Sequence, residues 1–342
     1  MNKNNKHNHL VKKSNLINFL NPTSRGTNFR DSPPTSSLKK RQIGRIILQF
    51  HQIVSLFKQL NIKLDNKNFL DVGTGNGMVP KLMSKYTKIK YAEGIDPFLD
   101  GEHTTSWQKH DQENEFKKIT KKINSLIKKK NNEIIFNNYK QITKHEQVSL
   151  FPIPVKLEAN KKIKYKFHQL DVVKARNLNK KYDIIYFKAL EHISDIKKIF
   201  REIKKITKKK SIIYFKHRSF FSYLGPHRYA STFIPWGHVY LNDKEMIKYI
   251  KDYHKKDAKK MLDFYFKELS YPRFTVNELI KTSSDHGFIM RVNVVEPFKK
   301  LDKALKNLNK NKNFWKKIFK NYPKLGSDEL FSGMYHIVLE RK

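Results

Sequence analysis

The run NFLDVGTGNGMVP at residues 68–80 constrains the fold more than any other part of the chain. An apolar stretch ends in an acid, Asp71, and glycines follow at every second position, Gly73, Gly75 and Gly77. The chain has only 12 glycines in 342 residues, so three within five positions mark a backbone that bends tightly or approaches a ligand closely. A buried strand, a turn free of side chains and a helix from Met78 fit the pattern, and a helix start behind such a turn is a generic binding place for a dinucleotide. The spacing is G-x-G-x-G, however, tighter than the G-x-G-x-x-G of dinucleotide turns, and Asp71 sets a carboxylate at the pocket floor. That charge repels a pyrophosphate and attracts a ligand bearing an ammonium group.

Periodicity extends this turn into an alternating chain. Ile43, Ile46, Ile47, Phe50, Ile53, Val54, Phe57 and Leu60 recur at helical spacing and predict an amphipathic helix over 39–60. Strand 68–72, helix 78–86 and strand 90–95 then make a βαβ unit, because parallel strands require a crossover. The alternation breaks over about 97–162, where a lysine-rich helix near 116–127 and the proline-broken LFPIPVK at 150–156 read as an insertion. It resumes with strands over 164–170, 182–187 and 211–215 and a helix over 194–206 whose lysines point outward. A helix near 276–286 and strands near 288–295 and 334–340 close the chain. Residues 1–38, with DSPPTSS at their end, read as a flexible tail.

Composition narrows the chemistry. There are 71 basic and 31 acidic residues, a net charge of +40, which invites phosphate neutralisation, although lysines dispersed over helix backs equally make a solvated surface. The absence of cysteine excludes disulfides, thiolate metal sites and a thiolate nucleophile. No apolar run reaches the roughly 18 residues of a membrane span, and a cytoplasmic location is expected. No His/Asp/Glu grouping has defensible ligand spacing, the nearest being Asp96, Asp100 and His103, so no metal site is assigned.

With these motifs in order, the sequence resembles the class I S-adenosylmethionine-dependent methyltransferases over about 43–339. LDVGTGNG at 70–77 matches the family's first motif. EGIDPF at 93–98 ends the second strand in Asp96, QLDV at 169–172 carries Asp171, and YDIIYFKALEHISD at 182–195 matches the fourth strand with its Leu-Glu-His signature. The resemblance implies an α/β fold, a Rossmann-like doubly wound sheet of seven strands, mostly parallel with an antiparallel last strand, carrying helical and loop insertions. One methyltransferase domain over 39–342 follows, with an insertion at about 97–162, a substrate-side region at 217–275 and a basic connection at 298–332. The implied cofactor is S-adenosyl-L-methionine, held by Asp71, Gly73, Thr74, Gly75, Gly77, Asp96, Pro97, Asp171, Lys188 and Leu190. Asp96 takes both ribose hydroxyls and Asp171 faces the adenine amino group. The chain departs from the family before the fifth strand, where Lys208, Lys209 and Lys210 replace a Pro-Gly-Gly turn.

Methyl transfer from a sulfonium requires an aligned acceptor, exclusion of water and, for a hydroxyl, removal of its proton. Four histidines, His192, His217, His227 and His238, are candidates, since imidazole titrates near neutrality. His238 and His227 lead, as loop histidines flanked by glycine and aromatic residues, with His192 third. Tyr223, Tyr229, Phe233, Trp236 and Tyr240 either stack on a sugar or planar ring or form a small core. The expected substrate is a small molecule or glycan with an oxygen acceptor. The alternatives are an RNA methyltransferase using the basic surface and a noncatalytic protein that binds the cofactor.

Overall fold

In a computed structural model, which describes residues 40–97, 112–129, 133–134, 153–188, 190–193, 195–223, 225, 232, 234, 236–269, 273–297, 305 and 312–342, seven strands form one sheet. They are β1 (Asn68–Val72), β2 (Tyr91–Asp96), β5 (Tyr165–Gln169), β6 (Tyr182–Phe187), β7 (Thr207–His217), β8 (Phe288–Pro297) and β9 (Ser332–Arg341), while β3 (Glu133–Ile134) and β4 (Val155–Lys156) pair separately and antiparallel. The order is β5-β2-β1-β6-β7-β9-β8. β1 pairs in parallel with β2 on one side and β6 on the other, Asp71 lying opposite Gly94 and Tyr186. The chain therefore reverses its direction of winding at β1, and such a switch point opens a crevice at the carboxyl ends of the strands. The expected doubly wound α/β fold is the observed one. The tail at 1–38 and most of the insertion lie outside the described residues.

The chain divides into two compact units. The one carrying β1 extends through Lys188 and includes Arg201–Tyr214 and Glu340–Lys342; the other holds Ala189–Phe200 and Phe215–Leu339. In the first, helix α1 (Lys40–Gln59) packs against α2 (Met78–Tyr86), α3 (Gln112–Lys129) and β4. Its apolar face meets the core through Phe50, which lies 6.1 Å from Tyr86, and Phe57, 6.0 Å from Tyr214. Truncating a ring such as Phe57, fully buried, costs about 3–5 kcal/mol by lost transfer energy and the cavity left behind. The sequence predicts a half-exposed helix here, but every residue from Ile47 to Phe57 is buried, Gln49, His51, Gln52 and Ser55 included. Elements of the insertion cover the outer face, and Ser55 Oγ, 3.2 Å from His51 Nε2, satisfies part of the buried polarity.

In the second unit an aromatic core gathers Phe220, Phe221, Tyr223, Trp236, Tyr265 and Phe314. Its scaffold is helices α5 (Gly237–Tyr240), α6 (Asp243–His254), α7 (Ala258–Asp263), α8 (Val276–Asp285), α9 (Lys312–Asn321) and α10 (Ser327–Phe331); α4 (Ile196–Ile206) begins in this unit and ends in the first. α6 and α8 each begin with a capping box, Asn242 with Glu245 and Thr275 with Glu278. Trp236 donates its indole N–H to the Leu330 carbonyl at 2.8 Å, so the largest buried side chain leaves no polar atom unsatisfied.

Candidate active site

The three alternating glycines turn out to be required by backbone conformation. Gly73, Gly75 and Gly77 have φ of 70°, 57° and 68°, left-handed values at which an L side chain is strained. Gly73 and Thr74 donate their N–H groups to the Ile95 carbonyl at 2.9 and 3.2 Å, pinning the start of the bend to the end of β2. The Gly75 N–H donates to Asp96 Oδ2 at 3.0 Å. Gly77 opens α2, and a Cβ there would meet the Tyr165 ring, Cζ at 2.9 Å, whereas a Cβ on Gly75 would meet nothing. The open space in this bend lies over Gly75.

Asp71 lies beneath the bend at the end of β1, 2% exposed. Thr74 Oγ1 donates to its Oδ2 at 2.7 Å, while Oδ1 is buried with no hydrogen-bond partner among the described residues. Burial pushes the carboxyl up from its ordinary 3.8 to about 7, against the Thr74 hydrogen bond and the charge of Lys188, with Asp96 adding repulsion. An orphaned carboxylate oxygen of this kind costs free energy until a donor reaches it, and a cationic ligand supplies one. The residues thus fit a ligand whose ammonium group meets Asp71.

The structure brings Asp71, Gly73, Thr74, Gly75, Gly77, Asp96 and Lys188 together around this bend. Pro97 follows Asp96 on the surface, and its carbonyl accepts from Gln169 Nε2 at 3.2 Å. Asp171 is exposed two residues past β5, where its Oδ1 caps a 3-10 turn, Val172–Leu178, by accepting from the Val173 N–H at 3.0 Å. Leu190 is buried in the turn Leu190–His192, in the second unit. Asp100 and His103 lie outside the described residues.

Three contributors were not singled out by the sequence. Gly94 lacks the side chain that would strike Thr74 Cγ2 at 2.7 Å. Tyr165 covers Gly77, with Lys81 Nζ 5.4 Å from its ring centre, and burial together with the Asp71 charge raises its phenol. Glu93, fully buried, joins β2 to β5 and, across β1, to the start of β6: it accepts from Tyr182 Oη and from Lys180 Nζ at 2.9 Å, and its Oε1 lies 3.0 Å from His168 Nε2. Burial drives that carboxyl up, but the three polar contacts outweigh it and hold it below its usual range. The strand YAEGID is buried almost throughout, so an acid at Glu93 in its middle is the local signal that a polar partner is needed there.

The histidines separate by environment. His227 lies outside the described residues, as do Tyr229 and Phe233. His238 is not in a loop facing a cleft: it sits in α5, 1% exposed, with its ring edge-on to Phe220 at 5.2 Å and Nε2 buried without a partner among the described residues. Burial is the main cause that lowers it from 6.5 to about 3. The glycine and aromatic flanks that suggested exposure instead let the ring pack inward, Gly225 passing close to it. His217 is likewise buried, stacked on Phe274 at 5.9 Å and lowered by burial to about 3. His192 is half-buried in its turn, 6.3 Å from the Phe264 ring centre. Of the proposed stacking residues, Tyr223 and Trp236 are core, 4.6 Å apart and perpendicular, and Tyr240 stacks on Phe314 at 4.9 Å.

Among the described residues no group of three His, Asp or Glu side chains is placed to hold a metal, and no helix is long and apolar enough to cross a membrane. A family model described as a methyltransferase domain matches residues 45–251. No curated protein matches the chain. Solved structures similar to it include a candidate sarcosine dimethylglycine methyltransferase from Galdieria sulphuraria (10% identity, 90% of this chain and 93% of that one, TM-score 0.41). Magnesium protoporphyrin IX methyltransferase from Synechocystis PCC 6803 is similar at 9% identity over 100% of both chains, with a TM-score of 0.39. A phosphoethanolamine N-methyltransferase from Haemonchus contortus is similar at 10% identity over 89% of this chain and 60% of that one, with a TM-score of 0.38.

Proposed function

The chain belongs to the methyltransferase-domain family and is an S-adenosylmethionine-dependent methyltransferase, and we propose that its acceptor is an oxygen of a small molecule or glycan. The observation that carries the cofactor assignment is the buried, unpartnered Oδ1 of Asp71 beneath a bend of three left-handed glycines. When bound, the cofactor supplies a methyl group on a sulfonium, so the protein has no leaving group to activate. Asp71 binds the ammonium end, and the glycine backbone wraps it at close range. Asp96 binds the ribose hydroxyls, a carboxylate at a strand end being suited to a vicinal diol. Asp171 faces the adenine amino group, Pro97 follows Asp96 at the strand end, and Lys188 offsets the local negative charge.

The acceptor reading rests on composition at the substrate side. Residues 217–241 contain seven aromatic residues and no lysine, aspartate or glutamate in a chain otherwise crowded with lysine. Its fixed cations are only Arg218 and Arg228, fewer than a groove tracking a row of phosphates would carry. We assign His192 as the base that takes the acceptor hydroxyl's proton, in preference to His238, because a deeply buried imidazole titrating near 3 accepts a proton poorly at neutral pH. Residues 39–342 act in this proposal as one functional domain in the cytoplasm, in keeping with a chain that has no cysteine.

The test is transfer of labelled methyl from S-adenosylmethionine into a fractionated cell extract. Label in small molecules or glycans is the expected result. Label in RNA overturns the acceptor assignment while leaving the cofactor assignment intact.

A further inference from the structure

The end of the sheet opposite the glycine bend is built as a cluster of cations. Because β1, β2 and β6 run parallel, their amino ends lie along one edge, and the residues immediately before them are Lys67, Lys90 and Lys181. Hydrogen bonds within this unit add two more basic segments to the same edge. Lys181 Nζ donates to the Lys205 carbonyl at the end of α4. Ser211 Oγ donates to the Tyr182 carbonyl at 2.8 Å, which sets the start of β7, with Lys208, Lys209 and Lys210, beside the start of β6. Arg341 ties the end of β9 to the same place by donating to the carbonyls of Lys204, at 2.8 Å, and Thr207.

Few acids offset this charge. Asp183 is shared by Lys67 at 3.9 Å and Lys208 at 3.6 Å, and Glu202 pairs with Lys205 at 2.8 Å. Lys90, Lys204, Lys209 and Lys210 are exposed and have no carboxylate partner among the described residues. Lys210 also has φ of 64°, where glycine would be unstrained, so this cation stands at a position where the backbone disfavours a side chain by about 1 kcal/mol.

We infer that this edge binds the phosphate backbone of a nucleic acid and tethers the enzyme to it, with the glycine bend on the far edge of the sheet. This goes beyond the proposed function, because the acceptor is not bound here. Ammonium groups spaced along one edge match a row of phosphates and read no sequence. A bilayer is the poorer fit, since stable interfacial binding draws on buried apolar area as well as on charge. Among the described residues of this unit, Ile163, before β5, is the one exposed large apolar side chain.

The test compares two triple variants of the full chain with equal loss of charge. One carries Lys204→Gln, Lys209→Gln and Lys210→Gln; the other carries Lys117→Gln, Lys118→Gln and Lys121→Gln on the exposed face of α3. Binding of a fluorescein-labelled, mixed-sequence single-stranded RNA is followed by anisotropy as salt is varied. The first variant is expected to bind about tenfold more weakly at low salt and to show a slope of log K against log salt shallower by about 2. The α3 variant is expected to stay within about twofold of wild type. Equal loss in both variants overturns the inference, since net charge alone then explains binding, and so does unchanged binding by the first. Stronger retention on phosphatidylserine vesicles than on RNA overturns it in favour of a membrane. Cofactor affinity, measured in parallel and unchanged in both variants, separates this outcome from failure of the methyltransferase site.

Discussion

Gly94 makes room for Thr74: a methyl group at Gly94 would come within 2.7 Å of Thr74 Cγ2, and Thr74 is the residue that donates to Asp71 at 2.7 Å. A glycine on one strand thereby sets the geometry of a carboxylate on its neighbour, since Asp71 and Gly94 are register partners. Gly94→Ala is expected to displace Thr74 and break a charge-assisted hydrogen bond of about 1.5–3 kcal/mol. Calorimetry should show cofactor affinity reduced by roughly tenfold or more. Wild-type affinity in a folded Gly94→Ala protein would remove Thr74 from the site.

Gly75 and Gly77 should respond differently to alanine although both have positive φ. At Gly75 the new methyl group meets no protein atom, so stability drops only by the backbone strain, about 1 kcal/mol, yet the group occupies the space over the bend. Gly75→Ala is expected to melt within a few degrees of wild type and to lose cofactor binding. Gly77→Ala adds collision with Tyr165 to the same strain and should lose both. Thermal melts with and without cofactor distinguish the two, and equal behaviour would contradict the placement of the open space.

His192 and His238 offer opposite outcomes. His192→Ala is expected to lower turnover by about 10²-fold or more while cofactor affinity is retained, the size expected for removing a general base. His238→Ala opens a cavity beside Phe220 and should lower stability by about 1–3 kcal/mol, with the pH dependence of turnover unchanged. Urea unfolding and a pH–rate profile on both variants check this, and a shifted profile for the His238 variant would reinstate it as the base.

Lys210 is exposed, with φ of 64°, at the start of β7. Lys210→Gly should relieve the left-handed strain and raise stability by up to about 1 kcal/mol, offset in part by the greater freedom of glycine in the unfolded chain. Urea denaturation measures it, and a loss of stability would mean that the lysine side chain holds the turn.

The elements that fix the site were legible because their signals are local. Strand 68–72, helix 78–86 and strand 182–187 fall where apolar runs and the glycine turn place them, and the alternating glycines encode the three left-handed residues directly. What stayed hidden depends on contacts remote in sequence. Nothing near Gly94 announces Thr74, and Tyr165 reaches Gly77 across 88 positions of chain. α6 did carry a local signal, Asn242 followed three residues later by Glu245, which marks a capping box before an apolar period. His238 misled for a physical reason: glycine and aromatic neighbours accompany a tightly packed interior as readily as a cleft.

The most direct test of the account is cofactor affinity as a function of pH. Burial pushes the Asp71 carboxyl up to about 7, so below that pH the carboxyl must release a proton to meet an ammonium group. Isothermal titration calorimetry with S-adenosylmethionine from pH 5.5 to 7.5, below the range in which the ligand's own α-ammonium loses its proton, is expected to show affinity rising by up to about tenfold per unit and levelling as pH passes 7, with Asp71→Asn weak and nearly flat. A pH-independent wild type, or an Asp71→Asn variant that binds as tightly, would contradict the assignment of the Asp71 carboxylate as the group that holds the methyl donor.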